Sequence, residues 1–275
     1  MAYREKLIQD LKDKAKTLRK NVIISIGQDK FGHLGGSFSA ADVVTALYFY
    51  KMDIDPKNPK KPDRDRFLLS KGHVAVLQYS ALAELGFFPL TELEKTKNIG
   101  SMLQGHPDIL KTPGIEANTG SLGQGLSIGL GMALGLRMDK INSSVYVLVG
   151  DGELAEGQIW EAAMAAAIFK TDRLIAILDR NKKQAMGKTA DRFPIDNIRE
   201  KWQVFGWRTI EIDGHNMEEI VQALDEAGQS DGRPTVIIAD TVKGKGFEAA
   251  ENHDAGFHNI LLTKDLYNDA MELFG

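Results

Sequence analysis

VYVLVGDGELAE, residues 145–156, places a short apolar and β-branched run directly before Gly150-Asp151-Gly152. Such a run predicts a strand that is buried on both faces of a parallel sheet. Glycines at the turn after the strand let backbone N–H groups approach a phosphate. Because the Asp151 carboxylate would repel that phosphate, the turn predicts a hard divalent cation, Mg²⁺ or Ca²⁺, that bridges Asp151 to a diphosphate.

A second polar residue follows the next predicted strand. The run LIAIL covers Leu174 to Leu178, and Asn181 comes just after it, thirty residues beyond Asp151. Ligands of open parallel sheets bind beyond the carboxyl ends of the strands, so Asp151 and Asn181 are expected at one site. A lone GDG is also common in plain turns. Its pairing with Asn181, whose amide oxygen suits a hard cation, is what favours a metal–diphosphate site.

Strands and helices alternate through the second half of the chain, which predicts an α/β fold with a mostly parallel sheet. Apolar residues from Leu7 to Ile26 recur at helical spacing and predict an amphipathic N-terminal helix. Phe31 to Ser39 is expected to be a glycine-rich loop. No linker interrupts residues 1–275, so a single domain with a helical N-terminal segment is expected. The other predicted helices are 40–50, one ending near 86, 159–169, 198–205 and 217–227, and the other predicted strands are 66–70, 208–212 and 235–239.

Composition and charge exclude several classes of function. The net charge of −4 argues against nucleic acid as the main partner. The chain has no cysteine, which excludes disulfides, thiolate metal sites and cysteine nucleophiles. No apolar run is long enough to span a membrane, and the charges scattered through the N-terminal segment are unlike a signal peptide. A cytoplasmic protein without membrane association is therefore expected.

Three histidines, His33, His73 and His106, each follow a glycine in a predicted loop. A lone loop histidine is usually a surface residue. Three Gly-His pairs in predicted loops of one chain instead predict a polar pocket that holds several imidazoles. Histidine titrates near neutrality, so it can donate to a developing oxyanion or pass a proton. His215 lacks this support and is expected to be structural, at a turn between a strand and a helix.

A collinear series of motifs resembles the transketolase family. The resemblance runs from about residue 5 to residue 258 and implies a three-layer α/β/α thiamine-diphosphate fold of the diphosphate-binding type. Ser121 resembles the short split form, since the long single-chain form usually has proline there. The matching motifs are GHLGGSFSAAD (32–42), LSKGH (69–73), GHPD (105–108), TGSLGQGLS (119–127), GDGELAEGQIWEAA (150–163), FGW (205–207), DGHN (213–216) and TVKGKG (241–246).

The resemblance implies thiamine diphosphate and Mg²⁺ (or Ca²⁺) as cofactors and assigns residues to them. Asp151, Asn181 and the backbone carbonyl of Lys183 resemble the metal ligands. The N–H group of Gly152 resembles the donor that meets the diphosphate. The implied activity is the transfer of a two-carbon ketol unit from a ketose phosphate to an aldose phosphate.

The same resemblance assigns four histidines to the reaction. His73 and His258 resemble the pair that reaches the diphosphate and flanks the reaction site. His33 and His106 resemble the histidines that hydrogen-bond the hydroxyls and the carbonyl oxygen of the sugar. His258 is followed by Asn259, where the family usually has glycine.

Other assignments concern a second polypeptide. Gly120 and Leu122 resemble contacts to the aminopyrimidine and thiazolium rings, and Glu156 resembles a glutamate at a dimer interface. In the family, the glutamate that activates the cofactor lies in a pyrimidine-binding domain, which would begin where this sequence ends, at Gly275. A C-terminal partner subunit is therefore expected, in a heterotetramer of two copies of each chain. The alanine-rich segment from Gly152 to Ala167 is the expected interface.

The stretch after Asn181 departs from the family pattern and leaves alternatives open. Where the family commonly has an apolar-Gln-Ile-Asp-Gly run, this chain has Lys183-Gln184-Ala185-Met186-Gly187, which could change the sugar or weaken the activity. One alternative is half of a related synthase that decarboxylates pyruvate, although His106 would have little to bind on pyruvate. Another is a non-catalytic subunit that retains the fold.

Overall fold

The computed structural model describes residues 2–193 and 196–275, and strands and helices alternate through most of this range. The strands are β1 Lys30–Gly32, β2 Arg66–Leu69, β3 Val145–Gly150, β4 Leu174–Arg180, β5 Lys183–Gln184, β6 Gly187–Lys188, β7 Arg208–Asp213, β8 Thr235–Asp240 and β9 Ile260–Leu262. The α-helices are α1 Ala2–Ile26, α2 Leu34–Ala46, α3 Ala75–Leu85, α4 Gln124–Met138, α5 Gly157–Ile168, α6 Ile198–Val204, α7 Met217–Ala227, α8 Glu248–Glu251 and α9 Lys264–Phe274.

The central sheet has five parallel strands in the order β2-β3-β4-β8-β7. The register sets Val145 beside Leu174 and Gly150 beside Asp179, so the two predicted ligand turns leave the sheet at the same edge. The predicted strands 66–70, 145–149, 174–178, 208–212 and 235–239 are all confirmed, each within two residues at its ends.

Side chains that alternate along the strands fill two separate cores, which makes three layers. Tyr146 and Leu148 face one core, with helices α1, α2, α3, α7 and α9. Val147 and Val149 face the other, with α4, α5 and α6. Successive residues of a strand point to opposite faces, so an uninterrupted apolar run serves both cores. The predicted α/β/α architecture is confirmed.

The glycine-rich loop predicted for Phe31 to Ser39 is wrong. Phe31 lies in β1, which pairs antiparallel with β9, and α2 begins at Leu34. The glycines lie inside the helix because other backbone passes too close for a side chain. A Cβ atom on Gly35 would lie 1.7 Å from the carbonyl oxygen of Gly256. The helix predicted for 40–50 accordingly begins six residues earlier, and it continues as a π-helical turn over Leu47–Lys51.

The remaining predicted helices are confirmed, and α3 ends at Gly86, which has φ +90°. The short hairpin of β5 and β6 was not predicted, and it carries Ala185 and Met186 at its turn. Among the described residues, no helix combines the length and hydrophobicity that crossing a bilayer requires.

Candidate functional site

The predicted ligand residues meet at the carboxyl ends of β3 and β4. The Asp151 carboxylate accepts hydrogen bonds from the backbone N–H groups of Gly152 (2.7 Å) and Lys182 (2.6 Å). Asn181 donates from Nδ2 to Asp179 at 2.9 Å, and its Oδ1 accepts from the N–H of Lys183 at 3.2 Å. The structure therefore brings Asp151, Gly152, Asn181 and Lys183 together, with the Gly152 N–H turned to Asp151 itself.

Asp151 lies in an environment that opposes its negative charge. It is only 2% exposed. Burial and the nearby carboxylate of Asp179 raise the pKa of Asp151 to about 6. A divalent cation at this carboxylate would offset both effects. The neutral oxygens of Asn181 and Lys183 beside it suit a hard cation, so this donor set fits the metal predicted from the sequence.

A buried ion pair between Lys71 and Asp179 links the end of β4 to the segment after β2. Lys71 donates to Asp179 Oδ2 at 2.5 Å and to the Gly36 carbonyl at 3.0 Å. Burial raises the pKa of Asp179, but Lys71 and the hydroxyls of Ser39 and Thr241 outweigh burial and keep this pKa below its usual value. No role was assigned to Lys71 or Asp179 from the sequence. Their position at the carboxyl ends of β2 and β4 was the signal that would have indicated them.

A second buried lysine, Lys243, lies on the segment after β8, within the motif TVKGKG, and was also assigned no role from the sequence. Its Nζ donates to the carbonyl of Lys183 at 2.9 Å and lies 3.1 Å from Nδ1 of His258. Burial and the charge of Lys71 lower the pKa of Lys243 to about 8. The site therefore holds two positive charges, on Lys71 and Lys243, beside the negative charge of Asp151. The two ammonium groups suit a ligand with several negative charges, such as a diphosphate.

Three of the predicted histidines form a triangle of rings. The ring centroids of His33 and His73 are 5.0 Å apart, those of His73 and His258 are 5.1 Å apart, and those of His33 and His258 are 5.3 Å apart. His106 lies beside Gly120, where a Cβ atom would be only 2.5 Å from its ring. The segments that carry these residues are far apart in sequence, and the fold brings His33 and His73 together with His258.

The pocket disfavours protonated imidazole. Burial, with the nearby cations, lowers the pKa of His33 to about 4, that of His73 to about 2 and that of His258 to about 3. Burial and Lys97 also lower the pKa of His106. At neutral pH all four rings are uncharged, so each can offer one N–H donor and one acceptor nitrogen to a sugar.

A cavity of about 140 Å³ joins two rings of the triangle, His73 and His258, to the ligand turns. Its lining includes His73, Leu122, Asp151, Gln184 and Ala185. Gly120, with φ +139°, packs behind it against His106. Glu156 is exposed and lies outside the cavity, against Gly123.

Glu153 is a further residue that the sequence argument missed. It is 2% exposed and accepts hydrogen bonds from Ser70 (2.5 Å), Gly123 (2.8 Å) and Gly150 (3.0 Å). Its carboxylate therefore fixes three loops that surround the cavity.

His215 is structural, as predicted. Its Nε2 accepts from the N–H of Val242 at 2.8 Å, so its Nδ1 carries the proton and donates to Asp42 at 2.7 Å. Arg19 pairs with both oxygens of the same carboxylate. This network holds the segment that carries Lys243.

Comparison with known proteins identifies the arrangement. Residues 11–275 match the family described as "Transketolase, thiamine diphosphate binding domain". The chain belongs to the transketolase family. It is 45% identical over 262 residues to the 6-deoxy-6-sulfo-D-fructose transketolase subunit SqwG of Clostridium sp. (strain MSTE9), covering 95% of each chain. It is 40% identical over 264 residues to one subunit of the apulose-4-phosphate transketolase of Phocaeicola vulgatus, covering 96% of this chain and 93% of that one.

A solved transketolase structure confirms the thiamine-diphosphate fold of the diphosphate-binding type. The transketolase from Campylobacter jejuni superimposes with a TM-score of 0.89 at 32% identity. The match covers 97% of this chain but only 43% of the other. This member of the transketolase family therefore spans less than half of the single-chain enzyme and nearly the whole length of the two subunits named above.

Proposed function

We propose that this chain is the diphosphate-binding subunit of a two-chain transketolase, which transfers a two-carbon ketol unit from a ketose to an aldose. The observation that carries the proposal is one cavity in which the uncharged imidazoles of His73 and His258 meet the Asp151–Asn181 turns, with His33 packed against both rings. A binding protein that had only retained the fold would not need this arrangement. Residues 1–275 are taken as one domain of a cytoplasmic protein.

Asp151, Asn181 and the carbonyl of Lys183 would hold Mg²⁺ (or Ca²⁺), which would neutralise the diphosphate of thiamine diphosphate. The buried carboxylate of Asp151, with its raised pKa, supports this assignment. Gly152 would give its N–H to the diphosphate once a cation occupies the Asp151 carboxylate, to which this N–H donates in the structure. Lys71 and Lys243 lie nearby as cations. Leu122 and Gly120 would contact the cofactor rings, and when bound the cofactor supplies the nucleophilic carbon that carries the two-carbon unit.

The four histidines would bind and orient the sugars. His33 and His106 would hydrogen-bond the hydroxyls and the carbonyl oxygen, and His73 and His258 would face the diphosphate and the reacting carbon. An uncharged ring has a free nitrogen, so it can take a proton from a hydroxyl group and, as imidazolium, return that proton to an oxygen. Burial beside Lys71 and Lys243 keeps His73 and His258 uncharged, and burial beside Lys97 disfavours the charged forms of His33 and His106.

The substrates are proposed to be a ketose and an aldose with an anionic group at the far end, as in sugar phosphates. The name of the relative SqwG refers to a sulfonated ketose, and that of the Phocaeicola vulgatus relative refers to a sugar phosphate. Both groups are anions that leave the ketol end unchanged. Phosphate and sulfonate sugars are therefore compared directly as donors in the assay.

A C-terminal subunit would supply the pyrimidine-binding half, in a heterotetramer of two copies of each chain. Helices α4 and α5 support a large interface, because apolar side chains on them remain exposed: Met138 is 82% exposed and Ile168 is 77% exposed. Gly131 and Gly135 leave open space where a Cβ atom would lie. Three of the alanines predicted for this contact, Ala162, Ala163 and Ala166, instead pack on the chain's own sheet. The interface would therefore use the exposed residues of α4 and α5, such as Met138 and Ile168, together with Glu156.

The experiment is a ketol-transfer assay with the purified chain, a C-terminal transketolase subunit from the same source, and both together. The donors are fructose 6-phosphate, its 6-deoxy-6-sulfo analogue and pyruvate. We expect turnover of a ketose donor by the pair only, because the activating carboxylate is proposed to come from the pyrimidine-binding subunit. Steady turnover by the chain alone would contradict the two-chain proposal. Pyruvate decarboxylation would favour the synthase, and inactivity of a stable pair with every donor would indicate a non-catalytic subunit.

A further inference from the structure

The side chain of Lys183 joins two loops of the site. Its Nζ donates to the backbone carbonyl of Glu251 at 2.6 Å and to that of His253 at 2.9 Å. Glu251 ends helix α8, and Lys183 begins the β5–β6 hairpin. A cation is well placed there, because the carbonyl groups at the end of a helix have no partner within the helix.

The segment held in this way, residues 252–258, is named here the His258 loop. It is a tight turn in which the N–H of Gly256 donates to the carbonyl of His253 at 2.8 Å. The next residue, Phe257, has φ +48°, which a residue with a side chain seldom adopts. The carbonyl of Phe257 accepts from Gly35 at 3.1 Å. The loop is therefore fixed at both ends, by Lys183 near its start and by α2 near its end.

The backbone of Lys183 faces the same loop from the other side. Its carbonyl accepts from Lys243, and the Lys243 ammonium lies 3.1 Å from Nδ1 of His258. One residue therefore contacts the beginning of the His258 loop through its side chain and the environment of His258 through its carbonyl. Any displacement of the hairpin would move both contacts together.

We propose that Lys183 is a positioning residue whose ammonium group holds the His258 loop against the ligand turn. Without it, the carbonyls of Glu251 and His253 would turn to water, and the remaining contacts of the loop, with α2, Lys243 and Phe247, would all lie at its second end, at Phe257 and His258. A strained turn that is held at one end opens more often than the same turn held at both. The contact between Lys183 and the His258 loop does not depend on what the protein catalyses. The effect of that contact on turnover rests on the proposed function.

Hydrogen exchange of the full chain, bound to its partner subunit, tests the holding directly. Three variants are compared with the wild type. Lys183→Leu removes the donor, Lys183→Arg retains a cation, and Lys188→Leu removes a charge from the same hairpin without contacting the loop. We expect the amides of residues 252–256 to exchange roughly tenfold faster in Lys183→Leu, since hydrogen bonds to a charged group are lost. Lys183→Arg and Lys188→Leu should keep the wild-type rates.

Two outcomes of that experiment would overturn the proposal. One is equal exchange at residues 252–256 in Lys183→Leu and Lys188→Leu. The other is faster exchange throughout the chain in Lys183→Leu, which would mean a role in general stability. If the leucine variant does not fold, Lys183→Gln takes its place in the same comparison.

Steady-state kinetics of the same variants then tests the consequence for the site. A misplaced His258 should lower kcat while the dissociation constant of the cofactor, measured by calorimetry, stays near the wild-type value. Faster exchange with unchanged kcat would overturn the link to His258. Failure of the proposed function would be recognised separately, as inactivity of the wild-type pair.

Discussion

Nζ of Lys243 lies 2.9 Å from the carbonyl oxygen of Lys183, so an ammonium group faces one of the oxygens that we propose as metal ligands. A metal ion at that carbonyl would be repelled by the ammonium unless an anion lay between them. The charges of the site therefore favour a metal ion and a diphosphate that bind together rather than one after the other.

The first prediction follows from that coupling. Mg²⁺ should bind weakly to the full chain alone, and inorganic pyrophosphate should raise its affinity at least ~10-fold, as is typical of coupled sites. Asp151→Asn should abolish the coupling, because it removes the only charged ligand proposed. Calorimetric titration with Mg²⁺, with and without pyrophosphate, measures both effects. Asp191→Asn, an exposed residue, is the matched control. Equal Mg²⁺ affinity in Asp151→Asn would show that the metal site is misplaced.

Local patterns predicted part of this site, and contacts distant in sequence determined the rest. The turns at Asp151 and Asn181 follow apolar strands directly, so the rule for parallel sheets was enough to place them together. The pairing of Lys71 with Asp179 joins segments 108 residues apart, and no local pattern encodes it. Gly35 was misassigned to a loop for the same reason, because it is the approach of Gly256 that requires a glycine there.

The second prediction separates sugar binding from cofactor binding. His33→Ala and His106→Ala should lower kcat/KM for the donor, because each removes a hydrogen bond of roughly 1–3 kcal/mol, or about 5- to 150-fold. The dissociation constant of thiamine diphosphate should stay the same. Assays of the assembled enzyme at saturating cofactor, with calorimetry of the cofactor, measure the two quantities. Loss of cofactor affinity with normal turnover would mean that the histidine contacts the cofactor instead of the sugar.

The third prediction concerns stability in acid. The pKa values of His33, His73 and His258 are lowered to about 4, 2 and 3, below the ordinary 6.5 of an unfolded chain. Between pH 6.5 and about 4 the unfolded chain therefore binds protons at these histidines that the folded chain does not, and their contribution to stability falls as the pH falls, whereas the raised pKa of Asp151 acts in the opposite direction below about pH 6. Each histidine contributes at most ~1.4 kcal/mol per pH unit to that slope. Denaturant unfolding at pH 7.5, 6 and 5 measures it. His33→Asn should reduce the slope, and an unchanged slope would contradict the burial of that ring in uncharged form.

The fourth prediction concerns the assembly. If α4 and α5 form the contact between two copies of this chain, Ile168→Lys would bury a charge without a partner, which costs several kcal/mol. Light scattering of the purified pair should then change from two copies of each chain to one of each. Activity should fall with it, because each cofactor site is proposed to lie between this chain and the C-terminal subunit of the opposite pair. Leu90→Lys, at a residue that is 49% exposed and lies outside these helices, is the control and should keep the tetramer. A wild-type pair with one copy of each chain and full activity would rule out the tetramer as the working unit.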